Sequence, residues 1–214
     1  MIRALAAETL GTALLVATVI GSAQMAATLT PDHGLLLLAN ATATGAMLFV
    51  LITILAPVSG AHFNPLVSVL VVLHGDLPSR SLAPYVLAQT IGALAGLLLA
   101  HAMFALPLLQ TATHLRGGLS QDLAEVVATF GLILTVLGGG NARANVAALV
   151  ASYITAAYWF TSSTCFANPV MLLARALTDT PSGIAPSATP GFLLAEITGA
   201  ALAATLGLWL FRKT

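Results

Sequence analysis

Two Asn-Pro pairs are the residues of this sequence best suited to act on a passing molecule. The first lies in "SGAHFNPLVSVLVVLHG", from Ser59 to Gly75, and the second in "TSSTCFANPVMLLAR", from Thr161 to Arg175. Asn is a strong helix cap, and Pro suits the first helical position because it has no N–H to leave unsatisfied. Asn64 and Asn168 therefore each read as a helix start. An apolar stretch of about ten residues follows each, roughly Asn64–Leu73 and Asn168–Leu177. Ten residues of helix reach about 15 Å, half the hydrocarbon thickness of a bilayer. Two such half-helices, entering from opposite sides and meeting end to end, would make one crossing.

Chemistry follows from that placement. Non-helical backbone at the membrane centre is tolerated only where protein buries it or where it lines a water-filled path. The residues before each pair, Ser59–Phe63 with His62 and Ser162–Ala167 with Thr164, would run extended. Their carbonyls would form a ladder of acceptors, and the two Asn amides would supply donors at the centre. Two helix N-termini meeting there bring partial positive charge, which disfavours cations. Nucleophile–base sets, metal-ligand clusters and phosphate loops do not stand out, so neither an enzyme nor a cofactor is expected.

Composition requires a membrane. The chain has 214 residues, 58% hydrophobic and only 7% charged, with zero formal net charge. A soluble domain carries about a quarter charged residues. Nothing points to nucleic acid, and the one cysteine, Cys165, rules out an internal disulfide. Spans of about 20 apolar residues fit at roughly 3–28, 35–56, 81–105, 119–138, 145–160 and 190–211, separated by breakers that include Pro57. Glu8 argues against reading the first as a cleaved signal. Five cations, Arg3, Arg80, Arg143, Arg212 and Lys213, face one side, against Arg116 and Arg175 on the other. By the positive-inside rule both termini are cytoplasmic, in a plasma (inner) membrane.

The chain also repeats itself. "AETLGTALL" from Ala7 matches "AEVVATFGL" from Ala124, with Thr12 and Thr129 each four residues after the Glu. "LAQTIGALAG" from Leu87 matches "LAEITGAALA" from Leu194. Each half, approximately 1–106 and 118–214 of a single channel domain, holds three full spans and one half-helix. Three is odd, so the second half must be inverted. Inverted repeats with broken helices point to a transport path at the midplane.

With "AETLGTALLV", "SGAHFNP" and the second Asn-Pro segment in this order, the chain resembles the major intrinsic proteins, the aquaporin and aquaglyceroporin family, over essentially its whole length. The resemblance implies an all-α membrane protein with six transmembrane helices and two re-entrant half-helices. It implies a homotetramer with one pore per subunit. In aquaporin-type pores the positive ends of half-helices help exclude protons and cations.

The family's signature is Asn-Pro-Ala twice, the second followed by Arg. Here the copies are Asn64-Pro65-Leu66 and Asn168-Pro169-Val170, and Met171 stands where the Arg would be. The family's spacing carries its four filter positions to Thr44, Ala156, Cys165 and Met171. This set has no aromatic, no His and no cation, so the filter should be wide and weakly polar. Arg175 lies one turn beyond Met171, where a long side chain can snorkel outward. Glu8 and Glu125 match each other, and symmetry and resemblance assign them to anchoring the half-helix loops, with Gln89 and Glu196 beside them. The expected activity is passive passage of small neutral solutes: water, glycerol-like polyols and, by analogy with relatives similar at the second motif, metalloid acids such as arsenite. The alternative is a proton- or ion-coupled carrier using these intramembrane carboxylates.

Overall fold

The structure is a computed structural model that describes residues 1–141 and 145–211. Three of the cations behind the orientation reading, Arg143, Arg212 and Lys213, lie outside the described residues. The long helices are α1 (Ile2–Leu29), α2 (His33–Ser59), α4 (Leu82–Met103), α5 (Leu119–Asn141), α6 (Val146–Phe160) and α8 (Thr189–Leu210), and the short ones are α3 (Pro65–His74) and α7 (Pro169–Ala176). Each expected span and each half-helix coincides with one of them. Apart from α6, the long helices are long and apolar enough to cross a membrane; α6 has 15 residues, or about 22 Å. Large apolar side chains such as Ile54, Leu87, Leu194 and Trp209 stay exposed on the outside, as lipid contact demands.

One breaker behaves differently from the sequence reading. Pro57 does not end α2, which continues to Ser59. A proline in the last turn forfeits only one intrahelical bond. The helix stops at Gly60, whose φ of 90° is left-handed and whose N–H caps the Ala56 carbonyl, a backbone conformation that suits glycine.

Helix α1 packs on α4 and α5 on α8, and small residues permit the approach. A Cβ on Gly92 would stand 2.4 Å from the Thr9 carbonyl oxygen, and one on Gly96 would stand 2.2 Å from that of Ala13. In the other pair, a Cβ on Gly199 would stand 2.3 Å from the Val126 carbonyl oxygen. Without a hydrophobic drive between helices in lipid, such close contact carries the association. Gly96→Ala is therefore expected to force α1 and α4 apart and lower stability by about 1–3 kcal/mol. Thermal unfolding of the detergent-solubilised protein reads this, and an unchanged midpoint would contradict it.

The half-helices meet head to head, and each leads to its own mouth. At the α7 mouth, the segment before α5 and the segment after α7 are knitted together. The Ala112 N–H donates to the Ala176 carbonyl at 3.1 Å, and the Ala185 N–H to that of His114 at 2.8 Å. Asp179 accepts from both the N–H and the hydroxyl of Thr113, at 2.8 Å each, and these bonds hold its carboxyl below the usual carboxylate range.

Candidate functional site: a conduit between two half-helices

The site is built on the two Asn caps. Asn64 Oδ1 accepts from the Leu66 N–H at 2.9 Å, and Asn168 Oδ1 accepts from that of Val170 at 3.2 Å. Each amide then reaches across to the other loop. Asn64 Nδ2 donates to the Ala167 carbonyl at 2.7 Å, and Asn168 Nδ2 to the Phe63 carbonyl at 2.8 Å. A side-chain amide carries two N–H groups, so each Asn keeps one beyond the cross-tie. The two N-termini, with their positive dipole ends, are thereby fixed nose to nose.

The loops that deliver these caps are unusually wound. Ala61 and Phe63, three and one residues before Asn64, have φ of 52° and 50°. Cys165 and Ala167, at the same offsets from Asn168, have φ of 54° and 48°, with Thr164 at 64°. Left-handed backbone at non-glycine residues costs about 1–3 kcal/mol each and persists only where surroundings enforce it. Buried carboxylates supply that enforcement. Glu8 Oε1 accepts from Ser59 Oγ at 2.7 Å and from the His62 N–H at 3.0 Å. Glu8 Oε2 accepts from the Phe63 N–H and from Gln89 Nε2, both at 2.8 Å. Glu125 accepts from the N–H groups of Phe166 and Ala167, at 2.9 and 2.8 Å. Glu196 Oε1 accepts from the Asn168 N–H at 3.0 Å. Gln89 also holds Ser68 Oγ on α3 at 2.9 Å.

Between the loops runs a cavity of about 300 Å³. Asn64 and Asn168 line its middle. Toward the α3 mouth it is walled by aliphatic side chains, among them Val71, Val136, Val146 and Val150. His62 lines it too, its ring Nδ1 3.0 Å from Ser68 Oγ. Toward the α7 mouth stand Thr44, Tyr158, Cys165, Phe166 and Met171. No Asp, Glu, Lys or Arg is among the described residues that line it.

Three of the four positions carried over as a filter thus come together: Thr44, Cys165 and Met171. Ala156 does not join them. It is exposed on the outer face of α6, in a groove with Gly45, Phe49 and Trp159. Tyr158 faces the cavity instead, with its hydroxyl 3.3 Å from Thr44 Oγ1. Two residues along a helix turn about 200°, so Ala156 and Tyr158 lie on opposite faces of α6 and only Tyr158 meets the cavity. Thr164 does not line the cavity either; its hydroxyl accepts from Arg116 Nη1 at 3.2 Å. Arg175 departs from the snorkelling expectation. It is 2% exposed, its guanidinium lies 3.4 Å over the Phe166 ring, and its Nε donates to the Ser182 carbonyl. Tyr158 and Phe166 escaped the sequence reading, since no motif marks them, and Arg116 entered it only as an orientation charge.

The family model described as "Major intrinsic protein" matches residues 1–204. The chain belongs to the major intrinsic protein family. It is thus a membrane channel protein of a family that does not comprise enzymes. The aquaglyceroporin AqpS of Rhizobium meliloti is 54% identical over 211 residues, covering 98% of this chain and 91% of the relative. Aquaporin Z of Brucella melitensis is 40% identical over 95 residues, 44% of this chain and 41% of that one. Among solved structures, the aquaglyceroporin from Plasmodium falciparum superposes with a TM-score of 0.78 at 17% identity, over 99% of this chain and 96% of that one. The fold of this major intrinsic protein is therefore the aquaporin fold.

Proposed function

We propose that this protein passes water, glycerol-like polyols and uncharged metalloid acids such as arsenous acid, passively, through the cavity centred on Asn64 and Asn168. The observation that carries the reading is the cross-tied Asn pair in a conduit whose described lining residues include no Asp, Glu, Lys or Arg. A neutral solute meets two amide donors and a line of loop carbonyls at the centre, while an ion meets aliphatic walls that cannot replace its hydration. Likeness to AqpS supports the solute class, as that relative is named an aquaglyceroporin. The filter comprises Thr44, Tyr158, Cys165 and Met171. Glu8, Glu125 and Gln89 support the half-helices.

The two halves, near 1–106 and 118–214, act as inverted repeats. Gly92 against Thr9 and Thr12, and Gly199 against Val126 and Thr129, support this by their matching contacts. Four copies assemble as a tetramer in the plasma (inner) membrane, with both termini cytoplasmic. A coupled carrier would need a carboxylate on the path. Glu8, Glu125 and Glu196 instead accept from buried backbone N–H groups, which speaks against it.

Proteoliposomes exposed to gradients of glycerol, urea and arsenous acid test the proposal by light scattering and solute uptake. All three should equilibrate faster than in empty vesicles. Water flux with no solute flux would overturn the wide-filter reading.

A further inference from the structure

The sequence of this chain lacks the arginine that follows the second motif in relatives, yet a guanidinium lies close by. Arg175 is one helical turn beyond Met171 on α7. It is almost wholly buried, and its Nη1 has no hydrogen-bond partner among the described residues. No carboxylate lies within ion-pair distance of it among them. Besides the bond from its Nε to the Ser182 carbonyl, it has the face of Phe166, with Cζ 3.4 Å from the ring centroid. A desolvated guanidinium is attracted to the face of an aromatic ring, so the ring takes the place of an anionic partner.

Phe166 is held from other directions as well. Phe192 meets it edge-on, with centroids 5.1 Å apart and planes at 77°. Arg116 lies 5.8 Å from its centroid. Leu172, Ala176 and Ile184 pack in the same cluster. Phe166 lines the conduit and Arg175 does not. The backbone that carries the ring is fixed, because the Phe166 N–H is tied to Glu125.

We propose that Phe166 is a specificity-determining residue, whose ring withholds the Arg175 cation from the conduit. A solute at this level meets aromatic carbon in place of guanidinium N–H groups. The filter is wide and uncharged for two reasons together: Met171 does not supply a cation, and Phe166 screens the next one. Removing the ring leaves the guanidinium held by its Nε bond to Ser182, and the long side chain would trade that bond for the space the ring leaves, where it would narrow the passage and add charge. This inference rests on the cavity being the conduit, and its test separates the two ideas.

The experiment uses the full-length protein in liposomes as wild type, Phe166→Ala, Arg175→Gln and the double variant. Glyoxal, a small neutral dicarbonyl that modifies guanidinium groups, is added, and Arg175 adduct formation is followed by peptide mass spectrometry. Arg175 should react at least about tenfold faster in Phe166→Ala than in wild type. Glycerol flux should differ less than about twofold between wild type and Arg175→Gln. It should be at least about threefold slower in Phe166→Ala than in the double variant, a coupling between the two positions. Should Phe166→Ala fail to fold, Phe166→Leu removes the ring but keeps an apolar filler, and Arg175 reactivity should still rise about threefold. Equal Arg175 reactivity with and without the ring, or equal glycerol flux in Phe166→Ala and the double variant, overturns the proposal. Absence of glycerol flux in wild type overturns the conduit reading instead, and the adduct readout does not depend on flux.

Discussion

Replacing Met171 with Arg is expected to slow glycerol flux at least about tenfold, an added barrier of about 1.4 kcal/mol, while water flux remains measurable. Met171 lines the cavity beside Thr44, Tyr158 and Cys165. A longer side chain there takes room from a solute of glycerol's size before it takes room from water. It also adds a strong donor and a fixed positive charge. The substitution sets like charges four residues apart on α7 at two buried positions, so its cost exceeds the about 0.2–0.5 kcal/mol of an exposed pair. An unchanged elution profile in detergent is therefore required before a lower flux is read as a narrower passage. Undiminished glycerol flux would mean that Met171 does not stand at the narrow point.

The second large effect belongs to Glu125. Truncation to Ala leaves the N–H groups of Phe166 and Ala167 buried without an acceptor, at about 1–3 kcal/mol each. It also removes what holds the left-handed backbone at Cys165 and Ala167, where strain is of similar size per residue. Together these approach the 5–15 kcal/mol that holds a whole protein together. Glu125→Ala should yield little folded protein. Glu125→Gln keeps one acceptor oxygen but turns an amide N–H₂ toward a donor. It should fold, with solute flux reduced about tenfold or more. Size-exclusion profiles and flux per folded protein separate the two outcomes. A fully active Glu125→Ala would show that the loop does not need this clamp.

Much of this was legible because lipid imposes strict rules. Apolar length marked the long helices, and the two half-length stretches announced themselves by being too short. Asn64 and Asn168 could be read as caps because Asn-Pro has a local meaning wherever it occurs. Glu8 and Glu125 stood out because a carboxylate inside an apolar helix must have partners. The rest depends on contacts between distant segments. Tyr158 lines the cavity because of where the α6-to-α7 link ends, and spacing borrowed from relatives pointed to Ala156 on the opposite face. Arg175 looked like a snorkelling residue because its partner, the Phe166 ring, is met through a left-handed loop that no local pattern predicts. Arg116 is fixed by carbonyls of Ser163 and Pro181, which only folding brings near it.

The central claim is a passive conduit through the Asn64–Asn168 centre. The most direct measurement is the initial rate of glycerol entry into proteoliposomes across a wide concentration range, with and without an imposed proton gradient. A conduit predicts a rate linear in concentration and indifferent to the proton gradient. Saturation at low concentration, or a rate that follows the proton gradient, would contradict it and put a carboxylate back on the path.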